Sequence, residues 1–270
     1  MHRLPSLTIT LAIAILLSLW LPPPAVSGPW PRPEGSGQVI VTTIRQAAPI
    51  GSFVQGTADS DTNFSEIFVE YGLVEDVTVG LSAFYQNSVS DRDDRSAAVT
   101  GLARTRVWSN DRGDIASVQA GFSYPVESLF SDNFAESQPD STPEVDLRGL
   151  WGSSWWGDWG SAFVSTELAW RWRSEGQPDE IRSDTTIGYQ PGRCCLALLG
   201  FNALAPLSGG SDAGLKIAPS FAYTLWPEID RNEKKPLGIV RPRTIQLGFF
   251  YDVLNTDDGL GVQVSVWNSF

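Results

Sequence analysis

The sequence predicts an all-β fold, a transmembrane antiparallel up-and-down β-barrel of about twelve strands, with ten and fourteen left open. Three observations predict it. Segments of about ten residues alternate apolar and polar side chains, long enough to cross a bilayer as tilted strands. The connections between them are long and short in turn, as in barrels with long outer loops and tight inner turns. Eleven Trp and thirteen Phe are many for a soluble domain of this length and suit aromatic rings at the two membrane surfaces.

The elements follow in order. Residues 1–27 read as a cleaved signal peptide: basic His2-Arg3, an apolar stretch from Leu7 to Leu21, then small residues at Ala25-Val26-Ser27. Cleavage is expected after Ser27. Pro22-Pro23-Pro24 ends any helix there and argues against an uncleaved anchor. No Cys stands at the cleavage site, so no lipid anchor is expected. Residues 28–37 are a Pro- and Gly-rich periplasmic lead-in, and 38–270 form the barrel. No further run of apolar residues is long enough for a transmembrane helix.

The first strand is 38–46. The clearest hairpin is 64–86. Ile67, Val69, Tyr71 and Leu73 form one face, with Glu66, Glu70 and Gly72 on the other. The chain turns at Val74-Glu75-Asp76, and Val77, Val79, Leu81, Ala83 and Tyr85 resume the apolar face. Later strands are expected at 97–108, 115–125, 144–156, 160–172, 180–190, 194–205, 214–226, 243–254 and 259–270. In the last, Val262, Val264 and Val266 alternate with Gly261, Gln263 and Ser265, and Phe270 ends the chain.

Long connections at 47–63, 87–96 and 126–143 fall on one side of the membrane. Short ones at 74–76, 109–114, 157–159 and 191–193 fall on the other. Residues 227–242 break the rule, being long and charged where a tight turn is expected, so a misplaced strand there is open. Trp151, Trp155, Trp156 and Trp159 crowd the 157–159 turn, and Trp170 and Trp172 sit at the far end of the next strand. About eleven residues at ~3.3 Å, tilted by ~45°, span roughly 25 Å, the height of an apolar band between two aromatic girdles. The competing reading is a soluble β-sandwich with a buried aromatic core.

A C-terminal strand ending in Phe270 resembles the assembly signal of Gram-negative outer-membrane β-barrels, which the barrel-insertion machinery reads. Asn268 and Ser265 depart from that signal, where an aromatic or apolar residue and Gly are usual. The hairpin Glu70-Tyr71-Gly72-Leu73-Val74-Glu75-Asp76-Val77-Thr78-Val79-Gly80-Leu81 resembles one in XagA-like proteins and in outer-membrane transporters associated with phenol-degradation pathways. The lead-in Trp30-Pro31, Pro33-Glu34-Gly35 and Gly37 resembles the XagA-like set. The resemblance covers about forty residues. It implies an outer-membrane location, and polysaccharide or aromatic-compound traffic as the field of action.

The strongest chemical statement is negative. The only His, His2, lies in the signal segment, which excludes a Ser-His-Asp triad and His-ligated zinc or haem from the remainder. Outer-membrane phospholipases, lipid A deacylases and palmitoyltransferases, and omptin proteases resemble this size class and rely on such a His. No enzyme activity, cofactor or metal is therefore expected; catalysis by carboxylates alone stays open. A net charge of −12 argues against a nucleic-acid partner. Asp59-Ser60-Asp61-Thr62-Asn63 with Glu70 imitates a calcium loop but puts Phe64 where Gly is needed. Asp91, Asp93 and Asp94 form a second acidic loop, read as solvated or as sharing cations loosely with lipopolysaccharide. Cys194-Cys195, adjacent and alone, would point to opposite faces of a strand, and a bridge between neighbours is strained and rare.

Glu66, Glu70, Arg104, Arg106, Asp146, Arg148, Glu167, Arg171, Arg182, Asp184, Lys216 and Asp252 fall opposite the apolar faces, hence toward the lumen. Both signs are present, so they either pair and fill a narrow barrel or line a water channel. Glu167 and Arg171 share a strand face, so pairing is expected across strands. The sequence thus predicts a barrel for passive or facilitated passage of a small solute, surrounded by outer-membrane lipid and lipopolysaccharide. The alternative is a closed structural barrel whose outer loops bind lipopolysaccharide, exopolysaccharide or a protein.

Overall fold

The alternation sorts each strand into an outside and an inside. The computed structural model describes residues 28–47, 62–88, 95–126, 143–174, 178–192, 194–208, 213–225, 243–254 and 260–270. Residues 1–27, expected as a signal peptide, the acidic residues 59–61 and 91–94, and the connection 226–242 lie outside the described residues.

Twelve antiparallel strands form one closed barrel in up-and-down order. They are β1 (Gly37–Ala47), β2 (Thr62–Val74), β3 (Val77–Ser88), β4 (Arg95–Ser109), β5 (Ile115–Pro125), β6 (Glu144–Gly157), β7 (Gly160–Arg173), β8 (Glu180–Gln190), β9 (Cys195–Pro206), β10 (Gly214–Thr224), β11 (Arg243–Asp252) and β12 (Leu260–Ser269). Each expected strand is present, with ends within about two residues, the usual fray of strand boundaries. Strands β10 and β11 pair directly, so the long 225–242 connection does join them at the end that carries the tight turns. Among the described residues β10 and β11 are direct neighbours, which leaves no place between them for a further strand.

The burial pattern inverts that of a soluble sandwich. Tyr71, Leu81, Phe122, Leu147, Leu168, Phe221, Leu247 and Phe249 stand exposed around the outer wall. Apart from Pro29 and Ala222, the most deeply buried side chains are polar: Gln38, Glu70, Thr78, Ser117, Asp252 and Ser265. A closed sheet with an apolar exterior and a polar interior satisfies every strand without an edge, which is what a lipid surrounding demands. Among the described residues no helix is long and apolar enough to cross a membrane, which says nothing against strands doing so.

Closure occurs where β1 meets β12, from Gln38↔Ser269 to Ala47↔Leu260. Phe270 extends the ladder by exchanging backbone bonds with Gly37, at 2.7 and 2.8 Å. Its ring lies over Gly37, where an added Cβ would come within 2.2 Å of it, and stacks on Tyr71 at 6.2 Å. The β2–β3 turn is tight enough to force Asp76 to a φ of 66°. Register shifts at Gly72/Val74 and Arg106/Trp108 flank that turn.

Candidate functional site

The lumen encloses a cavity of about 1000 Å³. Its lining follows from strand parity: once Glu66 faces inward, so do Phe64, Phe68 and Glu70. Two unlike walls result.

One wall, on β6, β7 and β8, is a ladder of charges. Arg148 Nε donates to Asp146 at 2.5 Å, and its Nη1 to Glu167 at 3.2 Å, with Asp184 at 3.7 Å. Arg171 reaches Glu144 at 3.1 Å and Asp146 at 3.9 Å. Arg173 bridges Glu144 at 3.1 Å and Glu180 at 2.6 Å. The antiparallel register, with Asp146 opposite Arg171 and Glu167 opposite Asp184, sets these contacts. Glu167 pairs across strands with Arg148, not with Arg171 on its own strand. Asn202 on β9 donates to Asp184 at 2.8 Å, adding a neutral partner at the ladder's edge. Arg182 also lines the cavity, and its buried Nε bonds to no group among the described residues.

The other wall is apolar. Ile40, Phe64, Phe68, Phe84, Leu102 and Trp267 line it, continued by Leu196 and Leu198 on β9. Phe64 and Phe84 stack across β2 and β3 with centroids 5.7 Å apart. None of these was picked as a site residue from sequence, although parity with Glu66, Glu70 and Gln263 carried the signal. Glu144, Arg173 and Glu180 were missed in the same way beside Asp146, Arg171 and Arg182.

Residues 28–36 cross the lumen at its tight-turn end. Gly28 lines the cavity, beside Ser165 of β7. The Pro29 carbonyl accepts from Ser117 Oγ at 2.5 Å. Trp30 packs edge-on against Phe163 at 5.8 Å, over Gly152, where a Cβ would strike Pro29 and the indole. Arg32, 5% exposed, donates to Glu70 at 2.9 Å and to Gln38, and its backbone N–H to Thr78 at 2.7 Å. Glu70 accepts in turn from Arg104 at 2.6 Å, completing a buried Arg–Glu–Arg triad. The strap leaves along Gly72, whose hydrogen faces the Pro33 carbonyl so closely that a Cβ would sit 2.2 Å from it. The Pro- and Gly-rich stretch, expected as a lead-in, thus docks inside the barrel.

Three more of the expected lumen charges, Arg106, Lys216 and Asp252, lie off the cavity lining. Arg106 pairs with Asp76 at the tight-turn mouth. Lys216 sits over the Phe250 ring at 5.4 Å. Asp252 is 2% exposed, opposite Lys216 in register, and accepts from the Leu254 N–H at 3.1 Å. Glu66 lines the cavity beside Phe84.

On the outer wall Trp155, Trp156 and Trp159 gather at the tight-turn end, and Trp170 and Trp172 stack at the long-loop end with centroids 5.8 Å apart. Trp151 is exposed too, but midway along β6, because six residues separate it from the end of that strand. Cys194 precedes β9, which starts at Cys195. The opposite-face expectation fails there because the pair bends with the turn, and the two Sγ atoms lie 2.9 Å apart.

The closed barrel, its apolar exterior and its polar interior define the chain as an outer-membrane-type β-barrel of porin-like build. One known structure agrees on the fold. The COG4313 outer membrane channel from Pseudomonas putida F1 is 11% identical, with a TM-score of 0.60, over 92% of this chain and all (100%) of that one. A weaker likeness, which adds nothing to that agreement, is to the KdgM porin, 13% identical with a TM-score of 0.45, covering 86% of this chain and 99% of its own. No family model and no curated protein matches the sequence.

Proposed function

We propose that this protein is an outer-membrane channel for passive or facilitated passage of a small solute. The observation that carries the reading is the divided cavity, with paired carboxylates and guanidinium groups facing an aromatic and aliphatic wall. Such a lining favours a solute with an apolar body and a polar or charged end. Arg182, Arg171, Glu144 and Asp146 act as the filter for its charge, and Phe64 and Phe84 take its apolar part. The Glu70–Leu81 hairpin supports the XagA-like and phenol-pathway resemblance, and with it traffic in aromatic compounds or polysaccharide precursors. The leader directs export, and the strand ending in Phe270 carries the signal for the barrel-insertion machinery. Lipopolysaccharide contacts the outer half.

The test is single-channel conductance of the refolded protein in a planar bilayer, after a heat-sensitive band on a gel verifies folding. Steady current steps are expected. No conductance from a verified barrel would move the reading to a closed barrel whose outer loops bind lipopolysaccharide, exopolysaccharide or a partner.

A further inference from the structure

We propose that Cys194 and Cys195 form a vicinal disulfide, a two-electron redox site in the β8–β9 turn. The whole chain holds two Cys, so neither has a rival partner in the same molecule. Their Sγ atoms already touch at 2.9 Å, and both residues are partly open to solvent. An extended strand would hold the two side chains apart on opposite faces. Here the turn brings them to one side. The flanking backbone is anchored, with the Thr224 N–H donating to the Cys194 carbonyl at 2.7 Å and Cys195 opposite Tyr223 on β10. The sulfurs can therefore meet without moving either strand.

The chemistry balances through thiol–disulfide exchange. One Cys thiolate attacks a protein disulfide of the exporting compartment. The second thiolate then displaces that mixed disulfide. An Sγ–Sγ bond forms, two protons leave, and the oxidant departs as a dithiol carrying two electrons. The proposal rests on the outer-membrane reading above, because such oxidants act on exported chains. Neighbouring Cα atoms are ~3.8 Å apart, below the usual ~4.4–6.8 Å for a bridge, so the bond is expected to reduce more readily than an ordinary structural one. An added dithiol reopens the ring by the reverse exchange, leaving as its own disulfide and giving two electrons and two protons to a chelating Cys194–Cys195 dithiol.

The experiment uses the full chain recovered from the outer-membrane fraction without reductant, with thiols blocked by N-ethylmaleimide at the moment of lysis. Trypsin cuts after Arg193 and Lys216 and releases both cysteines on one peptide. The expected peptide is two hydrogens lighter than the dithiol and carries no maleimide until reduced, when it takes two. After reduction the folded protein is expected to capture a trivalent arsenical, and Cys194→Ser and Cys195→Ser each abolish capture. Maleimide on both thiols before reduction, or a bridge to another molecule, overturns the proposal. A protein missing from the outer-membrane fraction would instead overturn the location on which it rests.

Discussion

Glu70 is the residue whose removal the fold should feel most. It is 1% exposed and serves two guanidinium groups, Arg32 from the strap and Arg104 from β4. Desolvating three charges is costly, and their mutual geometry offsets that cost only while all three are present. Glu70→Gln leaves two buried cations facing a neutral amide, with an expected loss of ~3–5 kcal/mol, the range for breaking a buried pair. Equilibrium unfolding in urea with lipid vesicles measures it. Combining Glu70→Gln with Arg32→Met should cost less than the two single changes added together, since one orphaned charge is then gone. Strict additivity would show that the triad does not act as a unit. Asp114, in the β4–β5 turn, offers a pH test outside the membrane-spanning strands. Hydrogen bonds from Ser153 and then Asn110 hold its carboxyl below its ordinary 3.8. A depressed folded value contributes stability that is present above 3.8 and is lost as pH falls through the folded value. Acid titration of stability should therefore show wild type losing its advantage over Asp114→Asn below that point. Parallel curves at all acidities would remove Asp114 from the account.

At the scale of the element, the strands were legible because alternation at period two is a direct print of burial. Strand parity also reports which charges face inward, yet Phe64, Phe68, Phe84 and Trp267 went unnoticed as lumen residues. An apolar side chain on the polar face of a strand reads as noise until the opposite wall is known to be charged. The strap was not legible in its docking. Pro and Gly in 28–37 announce irregular backbone, but nothing in them says that Pro29 meets Ser117, 88 residues away. The closing pair β1–β12 supports a prediction of its own. Phe270 covers Gly37 and stacks on Tyr71 at the seam. Gly37→Val would drive a side chain into that ring and open the ladder that closes the barrel. The expected result is loss of the heat-sensitive folded band from outer membranes, with Gly149→Val, where a Cβ meets nothing within 4 Å, as the tolerated control. Equal folding of both variants would show that the seam tolerates the ring's displacement.

For the whole molecule, the question is how a solute could pass a barrel with a strap across one end. The cavity reaches Gly28, Phe163, Glu70 and Arg104, and there Trp30 packs on Phe163 while Arg32 and Arg104 pair with Glu70. The charged ladder lies nearer the long-loop end, with Arg171 and Glu144 close to the ends of their strands. In the proposed channel, selectivity and obstruction would therefore sit at different depths and should respond to different changes. Arg182→Glu reverses a charge that makes no ion pair among the described residues, so it should shift reversal potential toward cations while leaving the step size close to wild type. Joining residue 27 directly to Ser36 removes the strap but leaves β1 and the Glu70–Arg104 pair in place. That variant should show larger unitary conductance with a smaller change in selectivity. If instead the deletion leaves conductance unchanged while the gel still shows a folded barrel, the strap is not the narrowest point. The limit would then lie at the ladder, and Arg182→Glu should alter both readouts together.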